Sequence, residues 1–198
     1  MEEGKRLKEN TEQEEAPKLS RGRQLWKDYG YLLVTVITVL LLCKVIGQLA
    51  YVPSGSMETT LPTKSLTIGW RLPYFVANPT PKRGDVVTFY SDELGKVLVK
   101  RVIGLPGDTV EFVDGYVWIN GVQLDESYLP RQGETVCDES FSVPDGCFFA
   151  MGDNRTGSHD CRFFNNHYIP VEKIQAKVVL VISVGSDHSW QGVHFITK

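Results

Sequence analysis

The sequence has little cysteine. Four in 198 residues are too few for a disulfide scaffold, and none forms the Cys-x-x-Cys pair that suggests a zinc site. It also lacks an excess of positive charge. Lys and Arg number 21 against 24 Asp and Glu, for a net charge of −3, which disfavours a nucleic-acid binder relying on overall positive charge. Low complexity is missing too. The 18 glycines and 10 prolines imply many turns, but no collagen-like or internal repeat runs through the chain. What remains, 42% hydrophobic and 23% charged, is the balance of one ordinary globular domain, alone or with a short appendage.

Charge is unevenly placed. Residues 1–28 carry seven basic and seven acidic residues and almost nothing apolar before Leu25. The Glu-rich part through Glu15 reads as a solvated, disordered tail. Lys18, Arg21, Arg23 and Lys27 then lie together with no acid before Asp28. An apolar stretch follows at once. Residues 29–50 would make a helix of about 33 Å at 1.5 Å per residue, enough to cross a bilayer core. Residues 31–43 carry no charge, so the polar face of a soluble helix is absent there. Lys44 sits roughly two turns from the far end and can snorkel. A cleavable secretory signal is the rival, but the stretch is long for one. Ala50 also has Gln48 at the −3 position, a poor cleavage site. The reading is a retained anchor with the basic flank in the cytoplasm and residues 51–198 outside.

The outer part reads as β-rich. Residues 65–71, 85–91, 96–105, 110–113, 116–119 and 174–183 are short runs of β-branched and aromatic residues. Asp114-Gly115 and Asn120-Gly121 suit two-residue hairpin turns, because both dipeptides accept positive φ. There is no long amphipathic helix and no strand–helix alternation. The fold class is mainly β, an antiparallel β-sheet catalytic domain preceded by one N-terminal transmembrane helix. The stretch 185–198 is too polar for a second span.

Three segments can carry chemistry. The first is Pro53-Ser54-Gly55-Ser56-Met57. A Ser-Gly-Ser run alone is usually a turn, but a serine just past a membrane span is where an enzyme acting on membrane-proximal substrates needs a nucleophile. The second is Lys100, in a strand where Leu98, Lys100 and Val102 share one face and Val99, Arg101 and Ile103 the other. An average strand lysine snorkels at an edge or partners a carboxylate. A lysine between Leu98 and Val102 can instead be desolvated, which lowers its pKa by up to ~3–5 units on full burial. A neutral amine near pH 7–8 can take a proton from a serine. Arg101 cannot, since guanidinium stays charged, and it reads as the partner of an acid. The third is the polar run 152–162, Gly-Asp-Asn-Arg-Thr-Gly-Ser-His-Asp-Cys-Arg. It is a surface loop with an Asp–Arg pair, or a source of carboxylates for arginines and of a hydroxyl, Ser158, that orients another group. His159, Asp160 and Cys161 are sequence neighbours, which seldom converge on one ion, so no metal is expected.

Taken in order, the apolar anchor, Pro53–Met57, Gly84-Asp85-Val86-Val87-Thr88-Phe89, Lys100-Arg101-Val102-Ile103-Gly104-Leu105-Pro106-Gly107-Asp108 and the run 152–162 resemble the bacterial type I signal peptidases (leader peptidases). These are membrane-bound serine proteases with a Ser/Lys dyad. The resemblance covers residues 29–183. It implies Ser56 as nucleophile and Lys100 as general base. Ser54 and the Ser56 amide would form the oxyanion hole, and Ser158 would orient the lysine. Arg101, Asp153, Asn154, Arg155, Asp160 and Arg162 would be structural. Val52, Met57, Leu61 and Leu98 would line shallow pockets for small side chains at the substrate's −1 and −3 positions. The chain departs from the family at Thr59, where Pro is common, and at Cys161, where Ser is usual.

The resemblance further implies secretory preproteins as substrates, cut after Ala-X-Ala-type sites, in contact with the lipid bilayer and in functional proximity to the protein-export channel. No cofactor and no nucleic acid are expected. A catalytically silent anchored β module assisting surface-protein assembly is the alternative, and the presence of both Ser56 and Lys100 speaks against it. A self-cleaving repressor-type Ser/Lys protease is disfavoured by the anchor and the acidic tail, and a histidine-based relative by Lys100 itself. Cys43 falls in the span. Cys137 and Cys147 can pair by spacing, which geometry decides.

Overall fold

The computed structural model describes residues 20–58, 60–76, 80–184 and 190–196. The chain divides into two compact units, one ending at Leu42 and one beginning at Cys43.

Helix α1 spans Arg21–Ile46, about 39 Å at 1.5 Å per residue. It is long and apolar enough to cross a membrane. Leu32, Val36, Leu40 and Leu42 are all exposed, so apolar side chains face outward around the cylinder. Thr35 Oγ1 donates to the Tyr31 carbonyl at 2.8 Å, which satisfies its hydroxyl inside the helix, as lipid requires. Lys44 lies in the last turn, where a cation complements the carbonyl end of the helix. The helix differs from the expected span 29–50 at both ends. Residues 21–28, expected as disordered tail, are helical, consistent with their Arg, Gln, Leu and Lys content. Residues 1–19 of that tail lie outside the described residues. At the other end Gly47 breaks the helix. Residues 47–50 belong instead to strand β1 (Gly47–Tyr51), because their backbone pairs with β2 (Leu66–Trp70), Gly47 opposite Trp70 and Tyr51 opposite Leu66.

The other elements follow in order: α2 (Leu72–Val76), β3 (Val86–Ser91), β4 (Lys96–Gly104), β5 (Thr109–Val113), β6 (Tyr116–Ile119), β7 (Val122–Gln123), β8 (Phe141–Ser142), β9 (Cys147–Met151), β10 (Ile169–Pro170), β11 (Ile174–Val184) and β12 (Trp190–Phe195). One sheet has the order β1-β2-β11-β3-β4-β9-β10, with β12 also paired to β11. The other has the order β7-β6-β5-β8. The pairings are antiparallel, so the fold is mainly β, and the expected strands form within a residue or two of their expected ends. Asp114 and Asn120 adopt φ of 52° and 53°, each followed by a glycine at positive φ. Their turns join β5 to β6 and β6 to β7. The two-residue strands β7, β8 and β10 were too short to show alternation. Strand β12 lies in the polar stretch 185–198, of which residues 185–189 and 197–198 are outside the described set.

Two apolar clusters form the interior. The larger gathers Val87, Phe89, Val102, Val110, Val117, Phe141, Phe148 and Phe149, among others. Phe89 and Phe148 meet edge to face at 5.6 Å, the arrangement favoured by ring quadrupoles. The smaller gathers Val52, Met57, Leu61, Val86, Val178 and Val181. The other side of the large sheet is different. Leu49 opposes Ile68, Ile68 opposes Leu180, and Leu180 opposes Phe195. Cross-strand partners face the same way, and Leu49 and Phe195 are 69% and 76% exposed. Tyr51, Trp70 and Val193 are exposed as well, giving a large uncovered apolar sheet face.

Candidate active site

Ser54 sits in extended conformation just before a single 3₁₀ turn, Gly55–Met57. Met57 is 1% exposed and anchors the turn in the smaller cluster, beside Val52 and Leu61. Leu61 N–H closes onto the Met57 carbonyl at 2.8 Å. With its apolar neighbour pinned inward, Ser56 is left half-buried and Ser54 exposed. The turn packs on β4. Leu98 is half-buried and packs against the larger cluster, so the four residues expected to line substrate pockets divide three to one between the two clusters. Thr59 lies outside the described residues.

Strand β4 runs between β3 and β9, with Lys100 opposite Val87 and Arg101 opposite Met151. Adjacent strand residues point to opposite faces. Both faces are covered here, so Lys100 is 3% and Arg101 0% exposed. Burial lowers Lys100 from its usual value to about 8. Asp160, Cys161 and Asp153 pull it part of the way back, and Arg162 pushes it further down. Its Nζ donates to Ser158 Oγ at 3.0 Å. Among the described hydrogen bonds none joins it directly to Ser56.

The run 152–162 links the two serines. Gly152 N–H donates to Asp160 Oδ2 at 2.9 Å. A Cβ at position 152 would fall on both Ser158 Oγ and the Ser56 carbonyl oxygen, so the missing side chain lets these groups close around one backbone atom. Asn154 secures the turn from the same side. Its N–H donates to the Ser56 carbonyl at 3.1 Å, and Nδ2 donates to the Gly55 carbonyl at 3.0 Å.

Three buried arginines brace the loop. Arg101 grips Asp153 with two bonds of 2.9 and 2.7 Å and donates to the Gly84 carbonyl. Arg162 holds Asp160 at 2.9 Å and the Arg155 carbonyl at 2.8 Å. Burial alone would raise Asp160, but hydrogen bonding and charge from Arg162, with the Gly152 N–H, bring it below the usual carboxylate range. Arg155 pairs with Glu126 at 2.6 and 3.0 Å. Glu126 was not singled out in the sequence, because it sits in an irregular stretch with no motif around it. Charge counting carried a signal nonetheless. Arg101, Arg155 and Arg162 faced only Asp153 and Asp160, and a buried guanidinium requires a carboxylate. Thr60, Tyr128 and Thr135 complete these bonds and were likewise missed.

Cys137 and Cys147 are both free. Cys161 is fully buried, its sulfur accepts the Ala150 N–H at 3.3 Å, and burial raises its thiol, so it is held as an unreactive thiol. His159 is exposed and stacks on Phe163. Among the described residues no three His, Cys, Asp or Glu side chains gather as a metal site requires.

Residues 26–183 match the family described as signal peptidase, peptidase S26. The signal peptidase I of Leptolyngbya laminosa is 34% identical over 155 residues, 74% of each chain. That of Bacillus licheniformis is 34% identical over 140 residues, 66% of this chain and 74% of the relative. That of Bacillus caldolyticus is 33% identical over 142 residues, 65% of this chain and 75% of the relative.

Proposed function

The chain belongs to the signal peptidase family, peptidase S26, and we propose that it removes signal peptides from exported preproteins with Ser56 as nucleophile and Lys100 as general base. The observation that carries this reading is the buried Lys100 amine, hydrogen-bonded to Ser158 on the same loop whose Asn154 N–H donates to the Ser56 carbonyl. Above about pH 8 the amine is neutral. It takes the Ser56 proton as Oγ bonds to the carbonyl carbon of the scissile peptide. The Ser54 hydroxyl and the Ser56 N–H receive the oxyanion, and each such donor typically contributes ~3–4 kcal/mol to lowering the barrier. The Lys100 ammonium then passes its proton to the departing amine, the C–N bond breaks, and an acyl-Ser56 remains. Lys100 next takes a proton from water as the water oxygen attacks the ester carbonyl. The C–Oγ bond then breaks, the Lys100 ammonium returns the proton to Ser56 Oγ, and the signal peptide leaves as a carboxylic acid.

Ser158 orients the amine. Arg101, Asp153, Asn154, Arg155, Asp160 and Arg162 hold the loop that carries it. The substrate's cleavage region lies extended against an enzyme strand, where backbone pairing gives affinity. Val52, Met57, Leu61 and Leu98 form shallow apolar pockets that take Ala at −1 and −3 and exclude larger residues. The protein is membrane-anchored by α1, and the apolar outer face of β1, β2, β11 and β12 suits contact with lipid. Lys18, Arg21, Arg23 and Lys27 on the N-terminal flank orient that end to the cytoplasm, with the β unit outside and close to the protein-export channel that delivers its substrates.

Detergent-solubilised protein assayed on a signal-peptide substrate tests the assignment. Wild type cleaves, and Ser56→Ala and Lys100→Ala do not. Near wild-type cleavage by either variant ends it. Labelling of Ser56 by a serine-directed β-lactam-type inhibitor separates the enzyme from a silent β module.

A further inference from the structure

Glu126 touches neither serine nor the lysine, yet it is 6% exposed and saturated with donors. Arg155 gives it two hydrogen bonds, at 2.6 and 3.0 Å, and the Tyr128 hydroxyl a third at 2.9 Å. The same guanidinium donates to Thr135 Oγ1 at 2.9 Å, and through Nε to the Gly152 carbonyl at 3.1 Å. Gly152 is the residue at which an added Cβ would fall on both Ser158 Oγ and the Ser56 carbonyl. A line of contacts therefore runs from Glu126 through Arg155 and Gly152 to the Ser158 hydroxyl and the Ser56 backbone carbonyl. A doubly bonded Arg–carboxylate pair fixes direction as well as distance, and here it aims the Arg155 Nε at a single backbone carbonyl. The residues beside Glu126 reinforce the same loop. The Tyr128 ring lies 3.9 Å from the Arg101 guanidinium, which itself grips Asp153.

We propose that Glu126 is a positioning residue for peptide cleavage: through Arg155 it holds Gly152 in place, and so sets the spacing of Ser56 and Ser158 about the Lys100 amine. This deepens the signal-peptidase reading and rests on it. The largest charge effects on Lys100 come from Asp160, Cys161, Arg162 and Asp153. Glu126 is not among them. Losing a negative charge would lower Lys100, so an upward shift on altering Glu126 reports a moved loop and entering water.

The test compares the full chain in detergent, as wild type, Glu126→Gln, Glu126→Asp, Arg155→Ala and the Glu126→Gln/Arg155→Ala double variant, on one signal-peptide substrate. Displacing catalytic groups by about 1 Å costs roughly 100-fold in rate. Glu126→Gln is therefore expected to lose about 10- to 100-fold in kcat, with KM changed less than about twofold. Its acidic pH limb moves upward, because a hydrated Lys100 holds its proton more tightly. Glu126→Asp recovers part of the rate, and the double variant is no slower than Arg155→Ala, as expected of groups acting in series. A folded Glu126→Gln protein with wild-type kcat and an unmoved limb overturns the proposal. So does one with a lowered Tm and nothing else changed, which would make the role structural. If Glu126→Gln does not fold, Thr135→Val decides: reduced kcat with the same upward shift supports the proposal, and wild-type kinetics overturns it. Ser56→Ala serves as control, since its cleavage of substrate would overturn the signal-peptidase mechanism and not the Glu126 line alone.

Discussion

Lys100 Nζ stands 3.0 Å from Ser158 Oγ, and this bond defines what the amine can do. A neutral amine that donates to one hydroxyl keeps its lone pair for another, and in the proposed mechanism that other hydroxyl is Ser56's. Hydrogen bonds to a nucleophile often tighten only when substrate is bound, which accommodates a dyad not yet joined directly.

The first prediction is the pH dependence of kcat/KM. In the proposed mechanism Lys100 acts as the free amine, and burial lowers it to about 8. The rate should climb about tenfold per pH unit below that value and flatten above it. Titration of kcat/KM from pH 6 to 10 is the check. A midpoint near the ~10.4 of a free lysine would mean the amine is not desolvated.

The second concerns stability. In the unfolded chain the lysine keeps its proton up to about pH 10.4, whereas in the fold it is lowered to about 8. Burying it therefore costs free energy, fully below pH 8, and the cost fades as pH rises towards 10. Lys100→Met should be inactive yet more stable than wild type at pH 7, by on the order of 2 kcal/mol, with the gain shrinking at pH 10. Thermal denaturation at both values decides it. A variant less stable at pH 7 would show that the ammonium is well accommodated.

The third concerns Gly152. A methyl group there collides with Ser158 Oγ and the Ser56 carbonyl, and neither can yield without moving the site. Gly152→Ala should lower kcat by about 100-fold and cost ~1–3 kcal/mol of stability through overpacking. Wild-type turnover by this variant would mean that the loop has slack that the structure does not show.

The fourth concerns the Arg101–Asp153 pair, whose side chains are 1% and 0% exposed. Asp153→Ala strands a buried guanidinium and should cost about 3–5 kcal/mol. The double variant Arg101→Met/Asp153→Ala should be less damaged than Asp153→Ala alone, because no charge is left unpaired. Denaturation of the three proteins gives the comparison.

The sequence by itself determined the strands, the Asp-Gly and Asn-Gly turns and the long apolar helix, because alternation, positive φ and hydropathy are local properties of the chain. It also determined which residue types could serve as nucleophile and base, since their motifs are contiguous. The extent of the helix was not legible. Residues 47–50 are uncharged and continue the stretch read as the span, and only pairing with Leu66–Trp70 makes Gly47–Tyr51 a strand. Glu126 became part of the site only through folding, because its partner Arg155 lies 29 residues away in the sequence. Tertiary structure alone decided that both faces of β4 are covered, and with that the dryness of Lys100. Desolvation is the summed effect of neighbours drawn from distant strands and loops, and no window of sequence contains them.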